Sequence, residues 1–141
     1  MLVRTITTIA CCTAVLAAGQ LRTPTDADAM APKPGTYRGK TKQGRGIVFR
    51  ITRGQLDLRH FSIKLRCRDG SILIDRESGF EPSALRSNGS FREYQYGSTD
   101  KVWFRGRANN RLVRGRIKVK DRWGHVRCNS GWVPFTAKRR G

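Results

Sequence analysis

Four cysteines, two histidines and three basic tripeptides centred on glycine are the features of this sequence that could do chemistry. The tripeptides are Arg38-Gly39-Lys40, Arg105-Gly106-Arg107 and Arg114-Gly115-Arg116. In a strand, the residues on either side of a glycine point to the same face, so each tripeptide sets two cations side by side. Such groups hold phosphates, sulfates or carboxylates; they do not themselves make or break bonds. Cys11 and Cys12 sit inside an apolar run near the start, whereas Cys67 and Cys128 stand far apart in the polar remainder.

Catalysis needs a positioned acid, base, nucleophile or metal. Beyond residue 30 the acids are Asp57, Asp69, Asp75, Glu77, Glu81, Glu93, Asp100 and Asp121. Asp69 belongs to an Asp-Gly turn, and Asp75 is expected to pair with Lys64 across a hairpin. No G-x-S-x-G, H-E-x-x-H or phosphate-loop pattern occurs. His60 falls at an expected bulge and His125 in a turn, and neither has a companion at metal-ligand spacing. The reading is a protein without catalytic, cofactor or metal residues, with an enzyme whose site is not recognisable from sequence as the distant alternative.

Residues 1–19 read as an export signal: Arg4 precedes the uncharged run Ile6 to Ala18, which is shorter than the roughly 20 apolar residues of a membrane span. A second cleavage position, Ala27-Asp28-Ala29, would end the leader at residue 29. Either cut removes Cys11 and Cys12, and the surviving pair, Cys67 and Cys128, is then expected to form a disulfide. Closing a loop of about 60 residues in this way contributes about 4 kcal/mol by restricting the unfolded chain.

The charge balance is extreme, with 29 Lys and Arg against 10 Asp and Glu, a net +19. A leader ending at residue 29 would carry off two cations, Arg4 and Arg22, and two acids, Asp26 and Asp28, leaving the balance unchanged. Such a field draws polyanions and opposes self-association, so a monomer is expected.

The elements that position these residues are strands. Residues 20–35 are Pro-rich and read as a tether, and residues 36–139 as a single β domain of short alternating runs separated by Gly, Asn and Asp. Ile47, Phe49 and Ile51 alternate with polar neighbours. A bulge near Arg59-His60 brings Leu56 and Leu58 into phase with Phe61, Ile63 and Leu65. A two-residue Asp69-Gly70 turn would place Leu65 opposite Ile74 and Lys64 opposite Asp75. A two-residue Asn109-Asn110 turn would place Phe104 opposite Gly115 and Arg105 opposite Arg114. One face then carries Trp103, Arg105, Arg107, Leu112, Arg114, Arg116 and Lys118. The expected fold is all-β, an antiparallel meander of about eight strands closed or nearly closed as a barrel.

Several segments carry a resemblance: Gly35-Thr36-Tyr37-Arg38-Gly39-Lys40-Thr41, Cys67-Arg68-Asp69-Gly70, Val113-Arg114-Gly115-Arg116-Ile117 and Cys128-Asn129-Ser130-Gly131-Trp132-Val133-Pro134-Phe135-Thr136-Ala137-Lys138. Through them the chain resembles a family of small exported bacterial β proteins, common in actinobacteria, that has no assigned activity. The resemblance implies an antiparallel meander with its two cysteines paired, and implies no substrate.

The function expected from these readings is a secreted or envelope-associated (extracellular or periplasmic) domain that binds an anionic partner. That partner would be a wall polymer, an acidic lipid surface, nucleic acid or an acidic protein. Arg105, Arg107, Arg114, Arg116 and Lys118 would hold it, with Trp103 as a stacking surface; Tyr94, Tyr96 and Trp132 would serve either this face or the core and rim. The alternative is a structural or interaction protein of the envelope with no specific ligand.

Overall fold

The computed structural model describes residues 32–141; the expected leader and most of the expected tether lie outside them. Ten antiparallel strands follow one another: β1 (Gly35–Thr41), β2 (Gly46–Thr52), β3 (Gln55–Cys67), β4 (Ile72–Ser78), β5 (Ser83–Ala84), β6 (Ser90–Tyr96), β7 (Lys101–Ala108), β8 (Leu112–Trp123), β9 (Val126–Asn129) and β10 (Val133–Arg140). The all-β expectation holds. The count exceeds about eight because β5 and β9, of two and four residues, are too short to show an alternating pattern.

Neighbouring strands run in the order β10-β1-β2-β3-β9-β8-β7-β6, and β10 also pairs with β8. That last ladder closes a ring of six strands, β1-β2-β3-β9-β8-β10, with β4 and β5 added along β3 and β7 and β6 along β8. The strand edges of β6 and the β5 segment meet through side-chain caps: Glu81 N donates to Gln95 Oε1 at 3.0 Å, and Gln95 Nε2 donates to the Glu81 carbonyl at 2.8 Å.

Alternation fills the interior. Ile47, Phe49 and Ile51 of β2, Leu56, Leu58, Phe61, Ile63 and Leu65 of β3, Val102 and Phe104 of β7, and Val113, Ile117 and Val119 of β8 are all buried. Phe49 packs on Phe135 at 5.1 Å between ring centroids, and Phe91 on Phe104 at 6.2 Å. The expected bulge is present: Val48 pairs with His60 while Phe49 pairs with Leu58, leaving Arg59 as the extra residue. Without it, Leu58 and Phe61 would face opposite ways.

Two expected registers are corrected. At the β3–β4 turn the loop has three residues, Arg68 to Gly70. Cys67 N donates to the Ser71 carbonyl at 3.0 Å, and Gly70 takes the left-handed φ of 84° that such a loop requires. Asp69 Oδ1 fixes it by accepting from Ser71 N at 3.0 Å and Ser71 Oγ at 2.6 Å. Leu65 therefore meets Leu73, Lys64 meets Ile74, and Asp75 meets Ile63. A shift of one residue turns Asp75 away from Lys64 and toward the inside of the molecule.

At the β7–β8 turn four residues, Asn109 to Leu112 at the start of β8, separate the last ladder partners, Ala108 and Val113. Asn109 Oδ1 accepts from both Arg111 N and Leu112 N at 2.9 Å, and Asn109 N donates to the Leu112 carbonyl at 2.9 Å. Ala108 thus pairs with Val113, Phe104 with Ile117, and Arg105 with Arg116. This shift is two residues, so every side chain keeps its expected face. Buried Tyr37 ties the turn down, donating from its hydroxyl to the Lys33 carbonyl at 2.7 Å and to the Asn109 carbonyl at 3.2 Å.

Cys67 and Cys128 form the expected disulfide, as a direct cross-strand pair of β3 and β9 with Cα atoms 3.9 Å apart. Among the described residues no helix is long and apolar enough to cross a membrane.

Candidate functional site

The outward face of β6, β7 and β8 is built in rows that run across the strands. The first is Ser90, Arg107, Arg114 and Thr136; the second is Arg92, Arg105, Arg116 and Pro134. The third begins Tyr94, Trp103 and Lys118, and the fourth Tyr96, Lys101, Lys120 and Asn129. Side chains directly opposite in such a sheet lie about 5 Å apart at Cβ, so each row is a contact surface.

The position of each row follows from period-2 alternation around a packed interior. Phe104 and Val102 on β7, and Ile117 and Val119 on β8, turn inward, which sends Trp103, Arg105, Arg116 and Lys118 outward. Gly106 and Gly115 face each other between the cations of their tripeptides. A Cβ on Gly106 would strike the Arg114 carbonyl oxygen and come within 2.8 Å of Gly115 Cα and 2.9 Å of Phe91 Cζ. The tripeptides owe their glycines to this close approach of two strands beneath Phe91.

The third row is aromatic. The rings of Tyr94 and Trp103 stack at 4.9 Å and 20°, and Tyr96 follows Tyr94 at 5.8 Å. Lys118 Nζ lies 5.6 Å from the centre of the Trp103 ring and 5.9 Å from that of Trp132, so it sits between the two indoles. The Arg105 guanidinium carbon lies 4.6 Å above the Trp132 ring, and Lys120 Nζ 5.9 Å from Trp103. A cation placed over an indole keeps its charge while covering part of an otherwise wet apolar face.

All six residues expected at the site, Trp103, Arg105, Arg107, Arg114, Arg116 and Lys118, lie together on this face. The structure adds Arg92, Lys101 and Lys120 as cations and brings to this face the rings of Tyr94, Tyr96 and Trp132, which the sequence leaves open between this face and the core or rim. The alternation Arg92-x-Tyr94-x-Tyr96 in β6 is the sequence signal for part of that addition; the register that lines it up with Trp103 is not written in it.

Acids are kept off this face. On β6 and β8, Glu93 and Asp121 alternate to the other side, and among the described residues the one ion pair is Arg59 with Asp57 at 3.0 Å, on β3. Asp75 and Glu77, turned inward by the register of β4, gather with Asp100 instead. Burial, with help from a hydrogen bond to Asp75 and from the charges of Asp75 and Asp100, pushes the Glu77 carboxyl up to about 9. Burial raises Asp75 too. No histidine joins this cluster: His60 points to the opposite face of β3 from Phe61, the partner of Glu77, and His125 is exposed in its turn. Among the described residues no three His, Cys, Asp or Glu side chains could hold a metal ion.

Lys101 and Lys120 of the fourth row also wall a cleft of about 700 Å³ beside the disulfide, together with Arg66, Arg68, Arg122 and Arg127. Asp121 is the one carboxylate lining it. The basic surface therefore continues from the sheet into a concave end. No protein-family model matches this chain, and no curated protein or solved structure matches it.

Proposed function

We propose that this protein is an exported binding domain that captures an anionic polymer on the outer face of β6, β7 and β8. One observation carries the reading. Arg92, Arg105 and Arg116 stand in a line, Arg107 stands against Arg114, and among the described residues of β6, β7 and β8 no carboxylate shares their face. Like charges directly opposite are unfavourable in a free sheet, and an anion lying across them removes that cost. Export is supported by the apolar start of the chain, by the disulfide, which persists in oxidising compartments, and by the resemblance to small exported bacterial proteins.

The test is a titration with a phosphate polymer at two salt concentrations. If phosphates are held, affinity falls by about 0.7 to 0.9 log units per contact for each decade of salt. Arg105→Ala with Arg116→Ala should weaken binding far more than Lys33→Ala with Lys42→Ala, which removes the same charge elsewhere. Equal losses in the two double variants would reduce the site to a diffuse field and overturn the reading.

A further inference from the structure

We infer that the polymer this face takes is a single-stranded nucleic acid, with bases along the aromatic third row and phosphates along the cationic rows on either side. The inference rests on the anion-binding reading above and narrows its ligand. A face built only to hold charge has no use for rings in its centre. Here Tyr94, Trp103 and Trp132 lie across the middle, between the arginine row of Arg92, Arg105 and Arg116 and the row of Lys101 and Lys120, to which Tyr96 adds a further ring. A ligand complementary to that order must carry flat apolar groups flanked by anions. An unpaired polynucleotide does, because its bases are free to stack. A duplex hides its base faces in its own stack, and a polyol phosphate or polyphosphate has no rings to offer.

The cations already lying on the rings fit the same ligand. Arg105 covers Trp132, and Lys118 lies between Trp132 and Trp103. A base sliding onto either indole displaces a cation from the ring, and that cation is then beside the phosphate of the same nucleotide. Both groups keep a partner in the free and in the bound protein. Tyr94 at 42 % and Trp132 at 38 % exposure leave ring surface open for the first contact. Because every base has a flat face and none of these residues is set to read a base edge, binding should be nearly indifferent to sequence.

The experiment uses the intrinsic tryptophan fluorescence of the protein. It is titrated with oligothymidylate, with an abasic deoxyribose-phosphate oligomer of equal phosphate number, with a blunt duplex and with inorganic polyphosphate. Oligothymidylate should quench the fluorescence and bind about tenfold or more tightly than the abasic oligomer, the size expected from stacking of even one or two bases. Trp103→Ala should bring the two affinities together, and Trp103→Phe should restore most of the difference. Should Trp103→Ala fail to fold, Trp132→Ala, at a more exposed ring, makes the same comparison. Equal binding of oligothymidylate, abasic oligomer and polyphosphate would overturn this inference and leave the anion-binding reading standing. Absence of binding by all four would overturn both.

Discussion

Arg105 and Arg116 stand directly opposite each other on β7 and β8, with Arg92 on the far side of Arg105, and all three side chains leave the sheet by the same face. Repulsion across such a pair costs up to about 1 kcal/mol. The stacking of Arg105 on Trp132 returns about 0.5 to 1 kcal/mol. Arg105→Gln removes both, so its net effect on stability in moderate salt should stay within about 0.5 kcal/mol. Repulsion among exposed charges is the more strongly screened of the two. The melting temperature of the variant relative to the parent should therefore be highest at low ionic strength and decline as salt is added. A difference that grows with salt would show that repulsion is not what the pair contributes.

The disulfide joins the end of β3 to β9, which bridges β3 to β8 in the six-strand ring. Cys67→Ser with Cys128→Ser should lower stability by about 4 kcal/mol on loop-closure grounds. Denaturant unfolding of the two proteins measures this. Mass spectrometry of unreduced peptides should find residues 67 and 128 linked, and ready alkylation of both thiols without denaturant would contradict the linkage.

Gly106 and Gly115 are the point of closest approach beneath the basic face, whereas Gly46, at the start of β2, has open space where a Cβ would stand. Gly106→Ala should cost roughly 1 to 3 kcal/mol or more, because backbone must move to admit the methyl group. Gly46→Ala should be tolerated. Thermal melts of the two variants compare the positions directly, and similar losses at both would disprove the steric account.

Glu77 is half-buried beside Asp75 and Asp100, with its carboxyl pushed up to about 9 from an ordinary 4.5. Between those values the folded protein holds a proton that the unfolded chain has released. Stability conferred by this group is therefore full below about 4.5 and is lost as the pH rises toward about 9. Glu77→Gln keeps the shape without the ionisation, so it should flatten this decline and melt higher than the parent at pH 8. Subtracting parent from variant cancels the titration of other groups. An unchanged slope would mean that Glu77 ionises freely in the folded protein.

The two turn corrections show where sequence stops. Alternation in β2, β3, β7 and β8 is enough to identify strands, their buried faces and the bulge at Arg59, because burial of one face imposes a period of two on residue type. The six residues expected at the site share a face for the same reason. The expectation that a leader takes Cys11 and Cys12 points to Cys67 and Cys128 as partners, and the two are bonded. What sequence leaves open is register, since that depends on how many residues each loop takes up. The β7–β8 loop takes two more than Asn109-Asn110 suggests, and the faces survive because two is a full period. The β3–β4 loop takes one more than Asp69-Gly70 suggests, and Asp75 and Glu77 change sides. Tertiary structure alone therefore decided that Arg105 meets Arg116, that Tyr94 and Trp103 fall into one row with Trp132 beside its Lys118, and that the carboxylates gather away from the basic face. Loop side chains such as Asn109 and Asp69 choose among turns of nearly equal local energy, and the choice is settled only when both strands have found their places against the core.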